Sequence, residues 1–568
     1  MLAQYSHSLT AQARKIAGHN YFLSTRLTQH HDRAILGTNR RHSVHHPAPC
    51  HKHLLPALGL VLLAAAVRLP GLLDKPFWIA EVQEFAYAYR PGFFANPEFS
   101  AGDWPGFAYH SLCHLAGLAP TPGVVRAPAF ILGSLLPGII CFVLSRHRLA
   151  IPGILAGLFL ALSLPALQLS QEARLYASLS TFLALGLLLQ WFSDPRSRRT
   201  WILLGLVDGL ALFSHPYAAF WLLVRWVTVL ATAVKWRKVF AWSVLARYLP
   251  VPALGLSLQV ALVATAAARF RTIHEHFTLQ PYPPDFPIIA ELLGHLGAGS
   301  GLPAALFGLL VVAGTYLLAA RDRVGALLLA TAGVVAPLLT LTAIWLAGSR
   351  FGFVHLVPAA VPLFILAASA IAITWQGATG RPLFKASVAA LVMVMVLQMG
   401  WLDWRYHQRS TRLEMGADIA AACVALGTQS TDGDIVITTY DKYFTVFAWY
   451  CGPLLPPGVT IAADSVPSSH FVQAFNHLAA DGASGPLPIQ RVRPLSEMQL
   501  PPIGSNVFLL VPYFEDIEGD YSESLRWYGM TSPYGPALGP PEELLTGWQS
   551  SDFPLLKLLR MKVKPGMK

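Results

Sequence analysis

The stretch GVVRAPAFILGSLLPGIICFVLS (123–145), the basic triplet Arg146-His147-Arg148 and the run LAIPGILAGLFLALSLPALQ (149–168) decide the fold between them. The two apolar stretches are 23 and 20 residues long. At about 1.5 Å of rise per residue, each covers the roughly 30 Å hydrocarbon layer of a bilayer as a helix. Neither carries the broad polar face of a water-soluble amphipathic helix. The pair therefore reads as a membrane-crossing hairpin whose cationic turn stays on the cytoplasmic side.

The same pattern extends in both directions. Apolar runs lie at 54–73, 123–145, 149–168, 175–192, 200–215, 217–234, 248–268, 303–320, 324–346, 351–374 and 386–403, which predicts about eleven transmembrane helices. With the amino terminus in the cytoplasm, successive inside turns carry Arg146/Arg148, Arg196/Arg198/Arg199, Lys235/Arg237/Lys238/Arg247, Arg321/Arg323 and Arg381/Lys385. The acidic residues separate independently. Asp74, Glu81, Glu84, Glu98, Asp103, Glu172, Glu275, Asp285 and Glu291 fall outside, and only Asp194 and Asp322 fall inside. Composition agrees: 54% of residues are hydrophobic, 12% are charged and the mean hydropathy is +0.48, a balance that excludes a water-soluble domain of this length. The formal charge of +11 sits in short clusters between spans, so it marks orientation and not a nucleic-acid surface.

The ends differ from the middle. Residues 1–53 are basic, hold nine of the twenty histidines and lack apolar periodicity, which predicts a disordered cytoplasmic tail. A metal-binding role for that tail is the weaker reading. Residues 54–404 form the predicted transmembrane domain, and an odd number of spans places 405–568 outside. There, a helical stretch near 414–426 precedes the apolar segments Asp434-Ile-Val-Ile-Thr438 and Asn506-Val-Phe-Leu-Leu-Val511, the pattern of a small α/β domain. Of the five cysteines, only Cys423 and Cys451 fall together in that oxidising compartment, as a disulfide or as free thiols.

External loops hold the residues with chemical potential: Phe77-Trp78-Ile79-Ala80-Glu81, Asp103, Gln171-Glu172-Ala173-Arg174-Leu175-Tyr176, His215-Pro216-Tyr217 and Ser349-Arg350-Phe351. Ionisable groups at the mouth of a membrane cavity are functional by default. Asp208 and Arg225 lie within spans and read as a structural pair inside the bundle. His274-Glu275-His276 lacks the spacing that would put two ligands on one helical face, so it reads as a solvated loop.

In order and spacing these motifs resemble the C-type superfamily of membrane glycosyltransferases, particularly family 39, which includes protein O-mannosyltransferases, lipid A aminoarabinose transferases and their bacterial relatives. The resemblance covers about residues 54–405. Arg68-Leu69-Pro70-Gly71 is similar to the end of the family's first span, and Phe77 to Glu81 to its aromatic and Asp-Glu element, with Ala80 in place of the aspartate. Arg126-Ala127-Pro128 resembles the Arg-x-Pro start of span two. Gln171 to Tyr176 resembles the Gln-Glu-Ala-Arg-x-Tyr signature, and His215-Pro216-Tyr217 the Thr-His-Tyr-like turn.

The resemblance implies transfer of a sugar from a polyprenyl phosphate to a lipid, glycan or protein acceptor on the external face of a bacterial inner membrane. No cofactor, metal-site residue or nucleic-acid partner is expected from the sequence. In the family the first-loop aspartate is regarded as the base. Here that role passes to Glu81 or Glu172 as catalytic carboxylates. Asp103, Arg174, Tyr176, His215, Tyr217 and Arg350 are the expected substrate-binding residues, the arginines suited to a leaving phosphate. Two other functions compete. A catalytically inactive relative would keep the fold as a lipid-binding or assembly subunit in envelope glycan biosynthesis. A transporter fits less well, because no paired broken helices or midplane carboxylates are apparent.

Overall fold

A computed structural model of the chain describes residues 51–70, 72–73, 81, 113, 116–118, 121–173, 176–239, 242–258, 260, 294, 296, 301–346, 355–413, 415–438, 451, 454–463, 492–494, 503–512, 542–546 and 556–563. The basic tail up to residue 50 and the His274-Glu275-His276 loop lie outside the described residues.

Helices lie over the apolar runs. They are α1 (His51–Arg68), α2 (Pro122–Arg146), α3 (Ala150–Ala161), α4 (Leu164–Ser170), α5 (Tyr176–Phe192), α6 (Arg198–Ser214), α7 (Ala218–Thr232), α8 (Trp242–Tyr248), α9 (Leu302–Ala319), α10 (Arg323–Leu346), α11 (Val357–Gly377) and α12 (Pro382–Leu413). Among the described residues five of them, α2, α9, α10, α11 and most of α12, are individually long and apolar enough to cross a membrane, and six segments are if the bent pair α3–α4 is one span.

That bend corrects the expectation of a straight helix over 149–168. The chain turns by 61° between α3 and α4. Pro165 near the start of α4 is the reason, since a proline disfavours helical backbone in the residue before it and offers no amide to the preceding turn.

Burial separates helices that look alike in sequence. In α11, 89% of the apolar window is buried, against 11% in α12, although their mean hydropathies are 2.1 and 1.9. α11 is therefore the central pillar, packed on α3 and α9, and α12 faces lipid along most of its length. Close helix approach depends on small residues. A side chain at Gly133 of α2 would run into Ser170 of α4, and one at Gly186 of α5 would run into the Arg225–Asp208 pair. That pair is buried, with Arg225 donating to both carboxylate oxygens of Asp208, and Tyr248 also donates to Asp208 at 2.7 Å. It ties α6, α7 and α8 together, as the structural reading of these two residues expects.

α12 runs on past the apolar run, as far as Leu413, and α13 (Met415–Gln429) follows it. Six strands come next: β1 (Ile435–Thr438), β2 (Thr460–Ala463), β3 (Val492–Pro494), β4 (Asn506–Pro512), β5 (Glu542–Thr546) and β6 (Leu556–Lys562). They form one sheet in the order β3-β2-β1-β4-β6-β5, parallel from β3 to β4 and antiparallel at β6 and β5. Buried Asp434 accepts from the amide and hydroxyl of Thr431 and from the amide and side chain of Asn506, which sets the register of β1 against β4. Cys423 and Cys451 form a disulfide.

Candidate functional site

The bend in α3–α4 creates the floor of the site. A helix end leaves backbone carbonyls without intrahelical partners, and such groups must find donors when buried. The donor here is Arg68, the last residue of α1 and fully buried. Its guanidinium donates to the carbonyls of Ala161 at 2.8 Å and Leu160 at 3.1 Å, to Ala64 O at 3.1 Å and to Ser170 Oγ at 3.1 Å. Gln171 returns the favour to α1, with Nε2 donating to Arg68 O at 2.8 Å and to Pro70 O.

A buried ion pair stands beside this floor. Arg126 of α2 donates through Nε to Glu81 Oε1 at 2.9 Å and through Nη2 to Oε2 at 2.7 Å, a bidentate contact between groups 0% and 1% exposed. Its Nη1 donates to Leu72 O at 3.1 Å, and the amide of Ala173 donates to Glu81 Oε1 at 2.7 Å. Glu172 is consequently held from both sides, by the side chain of Gln171 on one flank and the amide of Ala173 on the other. Residue 172 is half-buried as a whole, and its Oε2 is buried.

A third group, aromatic and imidazole, joins three further segments. Tyr176 at the start of α5 is buried, with its ring centroid 5.4 Å from His215 and 6.0 Å from His355. Tyr217 lies 4.6 Å from His215 and 5.0 Å from His355, and the two histidines are 5.9 Å apart. The Tyr217 amide donates to His215 Nδ1 at 3.2 Å, which leaves Nε2 as the protonated nitrogen of the neutral ring. His215 is thus a donor through Nε2, the polarity an anionic group requires.

Of the residues expected from sequence, the structure ties Glu81 to the segment that carries Glu172 and brings Tyr176, His215 and Tyr217 into one cluster. Asp103, Arg174, Arg350 and the alanine at position 80 lie outside the described residues. Four participants were not singled out as site residues: Arg68, Arg126, His355 and Asp403. The two arginines had a readable signal, because each is a cation at or inside the edge of an otherwise apolar run. Asp403 of α12 is 3% exposed, has no hydrogen-bond partner at either oxygen among the described residues, and faces Arg68 closely enough to interact electrostatically. One turn further on, His407 Nε2 meets Val67 O at 2.9 Å, so α12 docks on the end of α1 through both residues. Among the described residues, no group of three or more metal-binding side chains comes together.

The fold is shared with solved structures of low sequence identity. The chain is similar to ArnT from Cupriavidus metallidurans, both in its crystal structure bound to undecaprenyl phosphate, with a TM-score of 0.50, and in its apo state, with a TM-score of 0.51. In each case 14% of residues are identical and the match covers 89% of this chain and 97% of that one. No family model matches the sequence, and no curated protein is similar to it in sequence.

Proposed function

We propose that this protein is a multi-pass inner-membrane glycosyltransferase that moves a sugar from a polyprenyl phosphate to an acceptor hydroxyl on the external face. The observation that carries this reading is the convergence of four separated motifs, at 68–70, 81, 126 and 171–173, into one buried network. The fold it shares with ArnT, whose structure holds undecaprenyl phosphate, supports the carrier class. The bundle of about eleven spans, with the sheet domain outside, belongs to the same proposal. The Cys423–Cys451 disulfide supports the external placement, because such bonds persist in oxidising compartments.

The roles divide between the two carboxylates. Glu172 accepts the acceptor's hydroxyl proton as the oxygen forms its bond to the anomeric carbon. The bond from that carbon to phosphate oxygen breaks, and its electron pair leaves with the carrier phosphate, inverting the centre. Glu81 has both oxygens committed to Arg126 and Ala173, so it acts as a positioning residue that fixes the 171–173 segment. Arg174, Tyr176, His215, Tyr217 and Arg350 meet the phosphate and sugar, and Asp103 the acceptor side. Oriented cationic and N–H donors stabilise the charge that develops on the leaving phosphate.

A second reading has its own observation. Ala80 stands where relatives carry the aspartate, and the neighbouring Glu81 is consumed by an ion pair. That combination fits an inactive relative retained for lipid binding or assembly. Transfer from an extracted pool of carrier-linked sugars to membrane acceptors, measured with wild type and Glu172→Gln, tests the proposal: turnover by the wild type and its loss in the variant support the enzyme.

A further inference from the structure

A cavity opens at the opposite ends of the helices that build the site. α2 carries Arg126 near its start and finishes at Arg146, while α3 begins at Ala150 and reaches the site only at Leu160 and Ala161. Between them, the turn His147-Arg148-Leu149 lines a cavity of about 480 Å³, closed by Trp191, Phe192 and the α9–α10 turn with Arg321. It adjoins an apolar groove of about 400 Å³ between α3, α11 and α12, lined by Leu155, Trp375, Val392 and Met393, and Ile151 belongs to both. Lys385 stands over the Trp375 ring at the groove's edge.

The cavity is cationic. Arg148 and Arg321 line it, and among the described residues Arg321 donates one hydrogen bond, to Gln376 Oε1 at 3.2 Å. Asp322 is also on the wall, but its oxygens accept from Trp191 Nε1 at 2.6 Å and from the Gly325 amide at 2.9 Å, which commits its charge to the start of α10. His147 stacks on Phe192, and burial, followed by the charges of Arg146 and Lys235, holds its pKa below the usual imidazole value.

The backbone of Arg148 supplies an independent sign. α2 ends in a Schellman turn, with the Leu149 amide donating to Leu144 O at 2.8 Å and the Arg148 amide to Ser145 O at 3.1 Å. The residue at this place adopts left-handed backbone and is commonly glycine. Here it is arginine at φ 65°, the one non-glycine with positive φ among the described residues. An unfavourable backbone position that holds a cation at a cavity wall points to a use for the side chain.

We infer that this cavity and groove bind one anionic phospholipid of the leaflet on that face, its phosphate between Arg148 and Arg321 and one acyl chain along the groove through Ile151. The inference rests on the membrane reading of these helices and not on the catalytic one. The full-length protein, purified in detergent and titrated with phosphatidylglycerol, is expected to bind it with a raised unfolding temperature, and phosphatidylcholine or inorganic phosphate is expected to give no comparable shift. Arg148→Gly discriminates a lipid role from a structural one. It relieves the backbone, so without lipid the variant unfolds at the same or higher temperature, while affinity for phosphatidylglycerol falls about tenfold, as loss of a charge-assisted contact predicts. Arg321→Gln is expected to lower affinity similarly, Ala389→Trp to lower it by filling the groove, and Arg237→Gln, an exposed cation at the end of the short helix Val234–Arg237 that follows α7, to leave it unchanged. Equal binding of phosphatidylcholine, a full shift from inorganic phosphate alone, or undiminished affinity in the Arg148→Gly/Arg321→Gln double variant would overturn it.

Discussion

Glu81 is tied to the segment that carries Glu172 by one hydrogen bond, from the Ala173 amide across a separation of 92 residues. Their substitutions should separate cleanly. Glu172→Gln keeps shape and loses the proton acceptor, so turnover is expected to fall by about 10² to 10⁴ with the unfolding temperature unchanged. Glu81→Gln breaks a fully buried ion pair and is expected to cost about 3–5 kcal/mol, because Arg126 keeps its charge without a carboxylate. Thermal unfolding of both purified variants beside their kinetics reads the difference, and equal destabilisation would contradict the division of roles. His355→Ala is expected to raise the donor KM more than it lowers kcat, since the ring helps shape the Tyr176–His215–Tyr217 cluster. The motif glutamates, Tyr176 and His215 could be picked from sequence because they stand between or at the ends of apolar runs, in motifs with recognisable spacing. Arg126 could not be assigned to Glu81, because their pairing closes a 45-residue separation that no local rule encodes.

Elements were readable in position and less so in shape. Apolar length placed the helices, and the short runs 434–438 and 506–511 correspond to β1 and β4, neighbours in the sheet. The break in 149–168 went unread although Leu164-Pro165 carried its signal, since hydropathy alone is blind to backbone direction. Equally, α11 and α12 differ little in hydropathy and greatly in burial, because lipid and protein interior are both apolar solvents for a helix. At this scale the disulfide is the accessible test. Cys423→Ser releases a cross-link spanning 28 residues and is expected to destabilise the sheet domain by about 2–4 kcal/mol. Thiol labelling of the native wild type should leave both cysteines unmodified until a reductant is added, and immediate labelling would deny the bond.

At the scale of the whole molecule, polarity is set by charge: basic turns such as 146–148 and 321–323 lie at one end of the helices, the Glu81–Glu172 network at the other. Alkaline phosphatase fused after Lys568 is therefore expected to be active in cells, and an inactive fusion would place the sheet domain, and with it the site, on the wrong side. In the proposed mechanism the network of four motifs serves to hold one carboxylate, Glu172, where a carrier phosphate leaves. The most direct measurement is transfer of carrier-linked sugar to acceptor by purified protein in liposomes, wild type against Glu172→Gln. The account predicts turnover by the wild type and a loss of at least about a hundredfold in the variant; no transfer by the wild type from any carrier pool, or equal transfer by both, would contradict it.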